Sequence, residues 1–102
     1  MVAFNKAIIE ATQEHAVSYK INTAFYEALG SEGWQALEQT QKLLPKDTLN
    51  IADAKRGDIG NTARQYAKAF FERMDFDAVT LSPYMGKDSL DPFIEFGRKW
   101  SI

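Results

Sequence analysis

The ten residues Asp53-Ala54-Lys55-Arg56-Gly57-Asp58-Ile59-Gly60-Asn61-Thr62 place a lysine two positions after one carboxylate and three before another. They lie where an apolar run over 48–53 turns into a glycine-bearing loop. Residues two apart on an extended strand point to the same side, so Asp53 and Lys55 meet, and Asp58 falls in the following turn. An ammonium flanked by carboxylates at the C-terminal end of a strand can handle a proton or a developing negative charge. Lys20 lies near the end of an earlier apolar run over 16–21, and if that run is the neighbouring strand it reaches Asp53 across the gap. Opposite charges favour one another's charged forms, which makes such a lysine a poor general base or Schiff-base nucleophile. It suits the stabilisation of a carbanion followed by proton donation. Two other readings of these residues stay open. One is an ordinary ion-pair network at a sheet edge. The other is an Asp-rich magnesium site, which the intervening ammonium opposes by competing for the same oxygens.

These residues must be positioned by a small α/β unit. The 102 residues suffice for one domain with a core, and 45% hydrophobic and 25% charged content is that of an ordinary globular chain. A net charge of −2 without a Lys/Arg cluster gives no footprint for nucleic acid or an anionic membrane. The absence of cysteine excludes thiol nucleophiles and thiolate metal sites, and a single histidine argues against a His-based metal cluster or a Ser-His-Asp triad. No apolar run reaches membrane-spanning length and the N-terminus is not a signal peptide, so the expected placement is cytoplasmic.

Phe4, Ala7, Ile8 and Ala11 recur at helical spacing and predict an opening amphipathic helix. Strands are predicted at 16–21, 48–53 and 78–82, with the opening of a fourth at Trp100-Ser101-Ile102. On the first, Val17, Tyr19 and Ile21 share one side, and Ser18 and Lys20 the other. Helical stretches fall between them. The first is a short one over 23–29 ended by Gly30. The next is capped by Ser31, shows Trp34, Leu37, Gln41 and Leu44 on one face, and stops at Pro45. A third, over 61–74, buries Tyr66, Ala69, Phe70 and Met74, with Asn61 or Thr62 as a possible cap. The last follows the turn Pro83-Tyr84-Met85-Gly86, is capped by Asp88 or Ser89, and carries Pro92 in its first turn. Strand and helix in alternation give βαβ units and a parallel sheet. The opening on a helix and the close on a nascent strand are expected of a central segment of a (β/α)₈ barrel, with a flavodoxin-like sheet as the competing architecture. Phe70, Phe71, Phe93 and Phe96 read as core, and His15 as a surface or capping residue. Gly57 and Gly60 lack the spacing and lysine of a phosphate loop.

The run from Asp53 to Thr62 resembles the signature of the orotidine 5′-phosphate decarboxylase family. The resemblance extends through Phe4-Asn5-Lys6-Ala7-Ile8, Tyr19-Lys20-Ile21-Asn22, Ala24-Phe25-Tyr26-Glu27 and Pro83-Tyr84-Met85-Gly86-Lys87-Asp88-Ser89, and is nearest to the bacterial branch with the Pro-Tyr-Met-Gly turn. Asp-x-Lys-x-x-Asp alone is shared with related sugar-phosphate decarboxylases and aldolases; Ile-Gly-Asn-Thr attached to it makes it specific. The resemblance implies an α/β fold, a partial (β/α)₈ TIM barrel running from helix 1 through the start of strand 5, with residues 1–102 as the central fragment of one decarboxylase domain. It implies a homodimer that converts orotidine 5′-phosphate to UMP and carbon dioxide in pyrimidine biosynthesis without metal or organic cofactor. It also implies roles. Lys55 donates a proton to C6 of the pyrimidine. Asp53 lies beside the substrate carboxylate and holds Lys55, and Lys20 contacts Asp53 and the ribose. Asp58, Ile59 and Thr62 reach into the partner's site, with Asp58 completing the catalytic tetrad. The ribose-binding aspartate and phosphate-gripping residues of the family have no counterpart here, so these residues alone are expected neither to close a barrel nor to turn over substrate. The alternatives are a magnesium-dependent sugar-phosphate decarboxylase and a non-catalytic βα fragment prone to associate through open sheet edges.

Overall fold

Period-two alternation gives the sheet two unlike faces, and that difference organises the molecule. The computed structural model describes residues 1–102. The elements are α1 (Val2–Thr12), β1 (Ser18–Asn22), α2 (Ala24–Glu27), α3 (Gly30–Leu43), β2 (Leu49–Arg56), α4 (Gly60–Ala67) with a π-helical continuation (Lys68–Arg73), β3 (Ala78–Leu81), a 3₁₀ turn (Pro83–Met85), α5 (Lys87–Ile94) and β4 (Trp100–Ser101). The strands are all parallel and lie in the order β1-β2-β3-β4. Ile21, Ala52, Ala54, Val79 and Leu81 turn to one face, where they pack with Tyr26, Leu37, Ala63, Ala67, Phe70, Phe71 and Phe93 from the helices. Lys20, Asp53 and Thr80 have the opposite parity and turn to the other face. Sequential strand order with the helices on one side is the winding of a barrel wall. A doubly wound sheet reverses its order and carries helices on both faces, so the flavodoxin-like alternative is set aside.

Several local expectations shift, each for a physical reason. Helix α1 docks through Asn5, whose side chain donates to Tyr26 Oη (2.8 Å) and Thr40 Oγ1 (2.9 Å), and through buried Ile9 one turn later. Phe4 (69% exposed) and Ile8 stay outside that contact and line an apolar groove with Tyr19, Ile21 and Phe25. Strand β1 starts at Ser18 rather than 16, because Ala16 N still donates to Thr12 O and leaves Val17 exposed. Ser31 does not cap α3: α2 already ends at Glu27 and α3 begins at Gly30, whose φ of +63° lets the chain change direction between them. Neither Asn61 nor Thr62 caps α4, which starts at Gly60.

Past Ala67 the helix widens, and Met74 N donates to Ala69 O, five residues back. The wider turn buries the consecutive Phe70 and Phe71 together, and Phe71 meets Phe93 edge to face at 6.1 Å. Helix α5 starts at Lys87, so Asp88 and Ser89 lie inside it, and the Ser89 hydroxyl donates back to Gly86 O (2.6 Å). Pro92 is therefore the sixth helical residue, beyond the first turn, in a helix short enough to end at Ile94. The expected core holds at Phe70, Phe71 and Phe93, with Phe96 packed against it, and Phe76 joins them fully buried. His15 is exposed. No helix is long and apolar enough to cross a membrane.

Candidate active site

The charged cluster stands on the face of the sheet away from the helices, at the C-terminal ends of the strands. Strand β2 carries Asp53 opposite Asn22 of β1. The long Lys20 side chain leans forward along β1 to bond the Asp53 carboxylate, Nζ to Oδ2, at 2.7 Å. Lys55 Nζ bonds the other oxygen, Oδ1, at 2.5 Å. The carboxylate is 7% exposed, whereas the lysine side chains are 56% and 69% exposed. A buried anion thus holds two cations whose remaining donors face open space. Hydrogen bonds from Lys20 and then Lys55 hold the Asp53 carboxyl far below the usual carboxylate range, against burial, which pushes it up.

Strand parity holds from Asp53 to Arg56: Asp53 and Lys55 share this face, while Ala54 and Arg56 turn to the helices. The β2–β3 register shifts between Ala52 and Arg56, and Lys55 sits in the left-handed region at φ +49°. Lys55 still reaches Asp53 across that bulge. Thr80 of β3 stabilises it from both sides: the hydroxyl accepts from Lys55 N (3.0 Å) and donates to Asp53 Oδ1 (3.0 Å). Sequence reasoning missed Thr80. Its signal was a polar residue at the interior parity of the strand Ala78-Val79-Thr80-Leu81.

Beyond the bulge the loop is set by a close approach. A Cβ on Gly57 would lie 2.8 Å from the Ser82 carbonyl oxygen, so glycine lets the loop pass the end of β3, where Ser82 N donates to Arg56 O (2.7 Å). Asp58 then accepts from the adjacent Ile59 N (2.8 Å). Ile59 is 60% exposed, and Thr62 is exposed on the first turn of α4. The chain therefore brings Lys20, Asp53 and Lys55 together. It leaves Asp58, Ile59 and Thr62 on the neighbouring loop and helix start, with no hydrogen bond to that trio.

Such an arrangement can place ammonium donors at a developing anion while their own counter-charge stays fixed and desolvated. Residues 2–101 match the family model described as orotidine 5′-phosphate decarboxylase / HUMPS family. The orotidine 5′-phosphate decarboxylase of Christiangramia forsetii is 59% identical over 98% of this chain, and that of Flavobacterium johnsoniae 57% identical over 97%. The chain spans 38% and 37% of their lengths. Among solved structures, the OMP decarboxylase of Leishmania donovani superposes with a TM-score of 0.96 at 44% identity, over 99% of this chain and 40% of that one. The four strands and their helices are thus part of a (β/α)₈ barrel. The chain belongs to the orotidine 5′-phosphate decarboxylase / HUMPS family.

Proposed function

We propose that these residues form the catalytic cluster of an orotidine 5′-phosphate decarboxylase, which converts orotidine 5′-phosphate to UMP and carbon dioxide. The observation that carries the reading is the buried Asp53 carboxylate pinning two exposed ammoniums at the C-terminal ends of parallel strands. In a (β/α)₈ barrel that face is where active sites are built.

The chemistry follows from the geometry. The bond from C6 of the pyrimidine to the carboxylate breaks, carbon dioxide leaves, and the electron pair stays on C6. No conjugated sink delocalises that pair, so stabilisation must come from a fixed positive charge. Lys55 is the proposed source: its ammonium faces the carbanion and gives it one proton, yielding UMP and a neutral amine that solvent reprotonates. Asp53 keeps the ammonium in place before the reaction, and Lys20 neutralises the second oxygen of Asp53 while contacting the ribose. Asp58, Ile59 and Thr62 are assigned to the partner's site in a homodimer. The exposure of Ile59 and Thr62, and the absence of a hydrogen bond from any of the three to the trio within one chain, support that assignment. In this reading residues 1–102 are the central segment of one barrel domain working in the cytoplasm.

The test is UMP formation from orotidine 5′-phosphate by a protein carrying these residues in a closed barrel, with chelator present. Chelator-insensitive turnover is expected. Turnover only with added magnesium, or only of sugar phosphates, contradicts the reading. Mixing inactive Lys55→Ala and Asp58→Asn forms is expected to restore activity through hybrid dimers. No restoration contradicts the shared site.

A further inference from the structure

Lys55 holds an unfavourable backbone conformation for a residue with a side chain, so something must over-determine it. The Thr80 hydroxyl fixes its amide from one side. On the other side Arg56 turns to the helix face of the sheet and is 17% exposed. Its Nη1 reaches back to the Ala54 carbonyl at 2.7 Å and so spans the left-handed residue. Its Nη2 bonds Glu27 Oε1 of α2. The guanidinium carbon lies 5.2 Å from the Tyr66 ring centroid and 5.3 Å from that of Phe70, both on the helix that follows the loop. Its Nε is buried among them without a hydrogen-bond partner.

We infer that Arg56, clamped by Glu27 and seated on Tyr66 and Phe70, is a positioning residue that holds the 54–56 bulge and thereby points Lys55 at its target. One guanidinium ties together the three segments that carry the candidate site. Glu27 follows the strand of Lys20, Ala54 lies between Asp53 and Lys55, and Tyr66 and Phe70 extend the helix that opens beyond Asp58 and Ile59. The planar fork is needed for this: one nitrogen serves the carbonyl, another the carboxylate, and the flat face the two rings. Glu27 is suited to the task. Burial pushes its carboxyl up, yet hydrogen bonds from Arg56 and Thr23 and the charge of Arg56 together hold it below the ordinary value, so it stays an anion.

The inference rests on the decarboxylase reading for its kinetic consequence and on geometry alone for its structural one. The experiment reads both, in a protein carrying these residues in a closed barrel. Arg56→Met keeps an apolar stem between the rings and removes the fork. It is expected to lower kcat by roughly 10- to 100-fold, the cost of a misplaced reacting group, with KM nearly unchanged. Glu27→Gln is expected to lower it less, and Arg56→Lys to recover only part of the loss. Phe93→Leu, a change in the same core that leaves every partner of the Arg56 guanidinium in place, serves as the control for lost stability and keeps kcat. In parallel, carbon-13 NMR of the Asp53 carboxyl reads whether Lys55 stays bound. In Arg56→Met its titration midpoint moves up towards the ordinary value, and in Phe93→Leu it does not. An unmoved Asp53 midpoint in Arg56→Met, or a kcat loss no greater than that of Phe93→Leu, overturns the inference. A wild-type protein without turnover overturns the decarboxylase reading instead and leaves the NMR comparison to decide the clamp.

Discussion

Asp53 and Asp75 each sit between two lysines, at opposite ends of the same sheet. Asp75 precedes β3 and takes Lys99 at 2.8 Å and Lys46 at 3.9 Å. Its carboxylate is 66% exposed, while the Lys99 side chain is 16% exposed and also donates to the Phe76 carbonyl (2.8 Å). At Asp53 the arrangement is reversed, with the anion buried and both cations exposed. An exposed carboxylate over a buried amine completes a surface at the N-terminal ends of the strands. A buried carboxylate under exposed amines leaves donors facing outward at the C-terminal ends. Composition does not separate the two clusters; which partner is desolvated, and at which strand end, does.

The strongest way to break this contrast is to remove one amine from each cluster. In a closed barrel, Lys55→Ala is expected to cost roughly 10⁴-fold or more in kcat, since it removes both a charge and a proton source. Lys99→Ala is expected to leave kcat within a few-fold and to act on stability. Comparable losses from both, measured by UMP formation, would erase the distinction.

Thr80→Val comes next. The change keeps the shape, but Asp53 loses a donor and Lys55 N loses its acceptor, at about 1–2 kcal/mol in stability by urea unfolding. Activity is expected to fall about tenfold for that energy if the lost order falls on the reacting amine. Wild-type stability in Thr80→Val would show that the hydroxyl is dispensable.

Acid unfolding sharpens the same comparison. The folded Asp53 carboxyl is depressed, so its contribution is fully present above the unfolded value of about 4 and is lost as pH falls below it. Asp75 is depressed too, first by its Lys99 hydrogen bond, against burial, with further help from Lys46. Its exposure leaves a smaller effect. Asp53→Asn is therefore expected to flatten the stability–pH curve below about pH 4 more than Asp75→Asn does. Equal flattening would contradict the burial argument. At neutral pH, Asp75→Asn is the smallest effect, about 0–1 kcal/mol by thermal or urea unfolding.

The sequence carried much of this, unevenly. Strand–helix alternation located the four strands because the apolar runs are short and well punctuated, as at Gly30 and Pro45. Lys20 was legible because parallel neighbours bring strand ends together. Lys46 and Lys99 flank Asp75 just as distantly in sequence, yet no short motif announced them. The left-handed Lys55 and the Arg56 clamp belong to a register shift, which has no periodicity to read, whereas Thr80 stands at the interior parity of its strand. Helix starts were misplaced where side chains that could cap, such as Ser31 and Thr62, were not used. The apolar stripe Phe4, Ala7, Ile8 and Ala11 of α1 is exposed, and the docking contact runs beside it through Ile9 and through Asn5, whose two hydrogen bonds fix the helix rotation.

The most direct measurement is a crystal structure, with UMP bound, of the closed barrel that carries these residues. The Lys55 ammonium is expected within about 3.5 Å of C6, close enough to have delivered its proton, while still paired with Asp53. Lys55 directed into solvent, with the nucleotide bound elsewhere, would contradict it.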